Sequence, residues 1–239
     1  MTILLGIIFY QKIHTTNIQW DWKMIPWEWY PKYIFETLKI ATISCVMGIV
    51  VGVPLGLGKT KKNIIARSIS SLYIWIFKGV PPLVQILMAS GLLSLFFNLS
   101  NYACGMIALS GYASFRAGEM IESITNWFSV NSTDGSAKSK NEVGFSDKYF
   151  MNRIGCVFLC LYIHLIKEST LLSVIAVPEL FNFTRRVMSQ FSGIEAMFTT
   201  ALIYIGLVFS LSQIFIFIRK KIIKDDAFFN DPNNVFIWS

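Results

Sequence analysis

Long apolar blocks, broken by short polar, basic or proline-bearing joints, set the pattern of this chain. The blocks lie at about residues 34–57, 83–97, 102–118, 153–166 and 196–218. Apolar residues arranged in blocks this long point to a bilayer as solvent. A helical span needs ~20 residues, so the chain predicts an all-α membrane protein of about five transmembrane helices. The third block is diluted by Gly105, Gly111, Arg116 and Glu119, and the fourth is short. Between the first two blocks, the stretch that starts at Asn63 is amphipathic and predicts a helix lying along the cytoplasmic surface. It breaks at Lys78, Gly79, Pro81 and Pro82, and a double proline fits a helix start or a bent joint. The domain plan is an N-terminal interfacial segment (1–33), a membrane domain (34–221) with a polar cytoplasmic loop at about 122–152, and a tail (222–239).

Small and aromatic residues refine this picture. Gly48, Gly52 and Gly56 recur every four residues and place small side chains on one helix face, where a second helix can approach closely. Pro54 is expected to loosen the end of that span. Before the first block, Trp20, Trp22, Trp27, Trp29, Tyr30 and Tyr33 are interleaved with prolines and charges. Such rings, apolar in body and polar at the edge, predict a belt at the headgroups. Residues 1–12 have no basic leader and no small-residue cleavage site, and read as neither a signal peptide nor a full span.

Composition strengthens the membrane assignment: 54% of residues are apolar and only 15% charged, too few charges for the surface of a soluble domain. The net charge of +7 does not point to nucleic acid, because the basic residues gather at block ends. Lys59, Lys61, Lys62 and Arg67 follow the first block, and Arg219, Lys220, Lys221 and Lys224 follow the last. By the positive-inside rule these ends are cytoplasmic, which puts the N-terminus outside, the polar loop inside and the C-terminus inside. Arg185 and Arg186 then fall outside, against the rule. Cys45, Cys104, Cys156 and Cys160 all sit within apolar blocks, which argues against a secreted disulfide framework.

Three features exceed what spanning requires. Gln85 lies one turn into an apolar block, where its amide must find a partner helix, a cavity or a ligand, while nearby Lys78 can simply snorkel. Lys167, Glu168, Ser169 and Thr170 form a polar cluster between apolar runs. They offer a cation, an anion and hydroxyls to a zwitterion, or they form a solvated turn with an internal ion pair. Cys156, Cys160 and His164, four apart, share one helix face that suits copper or zinc, or ordinary packing; no carboxylate completes a ligand set. No phosphate-cradling loop or nucleophile elbow is present, and no bond-making chemistry is expected.

The segments "YIFETLKIATISCVMGIVVGVPLGL", "YIWIFKGVPPLVQIL", "IKESTLLSVIAVPEL" and "TALIYIGLVFSLSQ" resemble, in that order, the polar amino-acid ABC transporter permeases. The resemblance runs from about residue 34 to 221. The family's Arg-Gly-Thr-Pro-Leu-Leu-Val-Gln is matched by residues 78–85, with Lys for Arg and "VPP" in the middle. Its Leu-Lys-Asp-Thr-Ser-Leu…Pro-Glu-Leu is matched by residues 166–171 and 178–180, with Glu168 for Asp and Ser and Thr exchanged. The resemblance implies a type I ABC importer architecture and a dimerising subunit of the bacterial inner membrane. It implies as partners cytoplasmic ATP-binding subunits, a second permease subunit, a periplasmic substrate-binding protein and membrane lipid. It implies no cofactor, and places Gln85 and Lys167, Glu168, Ser169 and Thr170 near a translocation route.

The departures are local. "GYASFRAGEM" keeps Tyr112 and an "FRAG" but lacks the family's acidic residue at its usual place. The Gly-Gln-x-Glu-Ala-Ala-x-x-x-Gly coupling loop is reduced to Ser129, Val130 and Asn131 near the expected Glu-Ala-Ala, with Gly135 retained. Ser, Asn, Thr and Asp favour turns over helix, so an isolated helix here is expected to be marginal. The reading is a divergent subunit of a heteromeric amino-acid importer; the alternatives are a non-transporting scaffold or regulator of a permease, and a metal permease using the Cys156–His164 face.

Overall fold

A computed structural model describes residues 25–133, 148–191 and 194–222, and these are helical with short joints and no strand. The helices are α1 (Tyr30–Thr60), α2 (Ile64–Gly79), α3 (Pro82–Phe97), α4 (Asn101–Thr133), α5 (Lys148–Glu168), α6 (Leu180–Phe191) and α7 (Ile194–Ile222). A 3-10 segment, Ser169–Ile175, joins α5 to α6. Among the described residues three segments are long and apolar enough to cross a bilayer: Trp27–Thr60, Val157–Ile175 and Ile194–Ile214. The α2–α3 pair, bent by 105°, makes a fourth if it is taken as one broken span. The 33-residue α4 is long enough to cross but is not apolar enough to be counted, in keeping with the polar residues that dilute its sequence.

The central packing is α1 against α4, and glycines dictate it. A Cβ added at Gly48 would collide with Ala113; at Gly52, with the Ser114 carbonyl and Ala117; at Gly56, with the Gly118 carbonyl and Ile121. Contacts that advance in the same sense along both helices mean that α1 and α4 run parallel, so α2 and α3 return the chain between them. Lipid supplies little hydrophobic drive between helices, so close van der Waals approach over small residues takes its place. The glycine stripe therefore sets the fold's tightest interface. Pro54 does not end α1, which continues to Thr60.

Around this pair lies one main core of Ile40, Ala41, Leu109, Ala113, Leu161, Leu165 and Leu172, drawn from α1, α4, α5 and the 3-10 segment. A second core sets Tyr30 edge-on to Phe183 and Tyr33 stacked upon it. The expected aromatic belt is thus divided: Trp27 and Trp29 stay exposed, Tyr30 is buried against α6, and Trp20 and Trp22 lie outside the described residues.

The polar loop departs from expectation at its start. Backbone through Ser129, Val130 and Asn131 continues α4 as helix. An isolated two-turn helix would bear the full nucleation cost, whereas extending an existing helix does not, and that difference outweighs poor propensity. Gly135 and the rest of the loop, through residue 147, lie outside the described residues, as do residues 1–24 and the tail from 223. The arginines that strained the charge rule have local partners: Arg185 donates to the Ser173 carbonyl at 3.1 Å, and Arg186 to Asn182 at 2.9 Å.

Candidate functional site

The site begins at the α2–α3 joint. The last carbonyls of α2 need donors, and Pro81 and Pro82 carry no N–H to offer. Gln85 supplies them, its Nε2 donating to Phe77 O at 2.6 Å and to Val80 O at 2.7 Å. The partner required by this buried amide is thus the end of the preceding helix, and its Oε1 is left buried without a hydrogen bond. Gln85 holds the bend that gives the neighbouring recess its wall.

That recess, of about 350 Å3, is lined by Phe77 to Pro82 on one side and by Tyr112, Phe115, Arg116 and Glu119 of α4 on the other. It falls within the ~300–1,000 Å3 usual for small-molecule sites. Lys78 crosses its mouth to Glu119 at 2.8 Å, with the lysine side chain 67% exposed. One turn further along α4, Glu122 receives Lys59 of α1 at 2.5 Å, with both side chains largely covered. Acidic groups on α4 thus alternate with cations from α1 and α2, and one cation stands outside these pairs: Arg116. Among the described residues no carboxylate lies within ion-pair distance of its guanidinium, which sits over the Tyr112 ring and 3.4 Å from His164 Nε2.

His164 links this wall to α5. Its Nε2 lies 2.9 Å from the Tyr112 hydroxyl and 3.4 Å from Glu168 Oε1. Arg116 and Glu168, a cation and an anion, therefore flank a single imidazole nitrogen. Among the described residues no three groups are arranged to hold a metal ion; Cys45 and Cys104 are buried thiols, and the Cys156 side chain is not among those described.

The Lys167–Thr170 cluster separates into two parts. Ser169 and Thr170 turn their hydroxyls onto the carbonyls of Ile166 and Lys167, at 2.7 and 2.8 Å, closing the end of α5. Glu168 faces His164, while Lys167 is exposed, and among the described residues these two neighbours form no ion pair with each other. Beyond the 3-10 segment, the fully buried Glu179 accepts from Phe181 N and Asn182 N at the start of α6, and from the Tyr204 hydroxyl of α7. Thr37 of α1 accepts from Leu180 N beside it, so one corner fastens α1, α6 and α7. Burial pushes the Glu179 carboxyl up to about 7.

Gln85 and Glu168 thus border the recess or its network, while Ser169 and Thr170 serve the backbone. Sequence reasoning treated Arg116 and Glu119 only as blemishes in a span, and His164 as a metal candidate. The spacing of Tyr112, Arg116 and Glu119 at i, i+4 and i+7 was the available signal that they share a helix face.

No family model matches the chain. It is 27% identical over 217 residues to the "Putative glutamine transport system permease protein GlnP" of Rickettsia typhi, covering 82% of this chain and 96% of that protein. It is also 27% identical over 203 residues to the nopaline transport system permease protein NocM of Agrobacterium fabrum, covering 74% and 81%. Among solved structures, an amino acid ABC transporter crystallised with histidines superposes with a TM-score of 0.71 at 22% identity, over 80% of this chain and 93% of that one. The MetNI methionine ABC transporter in an inward-facing form gives 0.65 at 17% identity. The chain is similar in sequence to amino-acid ABC transporter permeases, and it has the ABC importer permease fold.

Proposed function

We propose that this chain is the membrane-spanning subunit of an ATP-driven importer of polar amino acids, forming a translocation path together with a second permease subunit. What carries the reading is that similarity to amino-acid permeases extends over four-fifths of the chain and coincides with a charged recess at the heart of the same fold. Ionisable groups at membrane depth are costly unless they serve a route or a partner, and Arg116, His164 and Glu168 are such groups. The chain does not hydrolyse ATP in this scheme; separate cytoplasmic subunits do, and a periplasmic protein delivers the substrate. The N-terminus lies outside and the C-terminus in the cytoplasm of a bacterial inner membrane.

The route uses Lys167 and Glu168 as the charged pair that a zwitterion meets, with Ser169 and Thr170 shaping the backbone that presents them. Coupling passes through the end of α4 and the loop after it, where Ser129, Val130, Asn131 and Gly135 stand in place of the family's pattern. One intact loop on a different partner would still transmit ATP-driven motion, so the pair is heteromeric. Co-expression with candidate partners, purification and ATP-dependent uptake in proteoliposomes test this. Uptake that collapses when Lys167 and Glu168 are replaced by Ala supports it. Failure to bind any ATPase subunit refutes the coupled importer and leaves a scaffold of another permease.

A further inference from the structure

Arg116 and Glu168 are opposite charges at membrane depth that stop short of each other. Arg116 Nη2 and Glu168 Oε1 each lie 3.4 Å from the same atom, His164 Nε2, yet no ion pair joins them directly. In surroundings of low dielectric such charges attract strongly, and a guanidinium and a carboxylate favour a two-point contact. What stands between them is an imidazole held in place. The Tyr112 hydroxyl lies 2.9 Å from its Nε2, its ring is nearly parallel to the Tyr112 ring, and Leu161 and Leu165 anchor α5 in the main core. This nitrogen cannot serve both charges. It carries either a lone pair, which Arg116 needs, or a proton, which Glu168 needs, whereas the Tyr112 hydroxyl fits either state. One of the two charges is therefore always unserved by the imidazole, and the Glu168 side chain keeps 23% of its surface exposed.

We propose that His164 is a positioning residue that insulates Glu168 from Arg116, so that the carboxylate stays open to the ammonium group of a zwitterionic amino acid. This rests on the reading of Glu168 as a residue that meets the substrate. The two charges still balance each other across the ring, so the arrangement is divided without being lopsided, as a zwitterion is. Helix periodicity sets it up. His164 and Glu168 are one turn apart on α5, Tyr112 and Arg116 one turn apart on α4, and the ring is inserted where the two faces meet. Take the ring away and the guanidinium closes on the carboxylate, which strengthens the contact between helices and removes the group that the ammonium needs.

The test uses the full chain in lipid nanodiscs with radiolabelled L-glutamine, competed by N-acetyl-L-glutamine, which has no ammonium group. The acetylated compound should compete at least about tenfold less well than glutamine, and His164→Ala should weaken glutamine binding about tenfold or more. His164→Gln, whose amide can accept from Arg116 and donate to Glu168 at once, should stay within about threefold of the parent. Adding Arg116→Gln to His164→Ala removes the group on which Glu168 closes and should recover most of the loss, a rescue that a merely structural histidine would not show. A further arm does not need His164→Ala to fold: a Tm double-mutant cycle on Arg116→Gln and Glu168→Gln in the parent. It should give a smaller coupling than the direct Lys59–Glu122 contact. A coupling as large as that contact's, unchanged binding in His164→Ala, no recovery on adding Arg116→Gln, or no saturable binding at all overturns the proposal. ATP-dependent uptake by the reconstituted complex separates the two readings. Uptake unchanged in His164→Ala defeats the insulation alone, whereas the expected binding pattern without any uptake defeats the importer alone.

Discussion

Replacing Gly52 by Ala adds a single methyl group, and the geometry predicts a large response to it. The new carbon would lie 2.6 Å from Ala117 Cβ and closer still to the Ser114 carbonyl oxygen, with Gly118 N at 3.1 Å. Carbon pairs are comfortable at about 3.5–4.0 Å, so the methyl intrudes by roughly 1 Å on backbone that cannot rotate away. The helices must part. Overpacking of this kind costs about 1–3 kcal/mol, and a chain of this size loses roughly 2–4 °C in Tm per kcal/mol. A fall of about 3–10 °C is expected in a thiol-reactive dye melt in detergent. Gly206→Ala, where nothing lies within 4 Å, is the control and should not fall. Adding Ala117→Gly to Gly52→Ala should restore only part of the loss, because the Ser114 carbonyl still obstructs. Equal melting of the Gly52 and Gly206 variants, or full rescue by Ala117→Gly, would refute the reasoning.

Other expectations follow from single contacts. Gln85→Leu leaves Phe77 O and Val80 O without their donor and should cost about 1–3 kcal/mol, read as a lower Tm together with protease cleavage near residue 80. A double-mutant cycle on Lys59→Ala and Glu122→Ala should give a larger coupling than one on Lys78→Ala and Glu119→Ala, on the order of 1 kcal/mol against a few tenths, because Lys78 is mostly exposed. Glu179 has its folded-state pKa raised from 4.5 to about 7, so the stability it contributes is full below about 4.5 and is lost as pH rises through 7. The Tm of the parent chain should therefore drop between pH 5 and 8.5 relative to Glu179→Gln, which cannot titrate; parallel curves would count against that assignment.

Span positions were legible because bilayer solvation writes itself into uniform apolar runs, and the glycine stripe was legible because close helix contact demands small residues. Helix lengths were less so. The apolar block was read only to about residue 118, whereas the helix α4 runs on to Thr133, since cooperativity along a helix is invisible to residue-by-residue propensity. The region of α6 was noted only for Arg185 and Arg186, although its start is fixed by the Glu179 carboxylate and its arginines have local hydrogen-bond partners. At the site, Gln85 and Glu168 stood out as polar residues in apolar surroundings. What they contact did not, because both partners, the end of α2 and His164, are set by tertiary geometry. Arg116 was overlooked for the opposite reason: it lies in a block already polar enough to hide it.

The close crossing at Gly52 and Gly118 also has a mechanical meaning. From there α4 extends some 22 Å to Thr133, at about 1.5 Å per residue. A rigid rod tilting by about 5° on such a fulcrum sweeps its far end through roughly 2 Å while points beside the pivot hardly translate. Arg116 and Glu119 sit beside that pivot. A push on the far end would therefore move the end of α4 while leaving Arg116 and Glu119, and with them the Lys78–Glu119 contact, nearly in place.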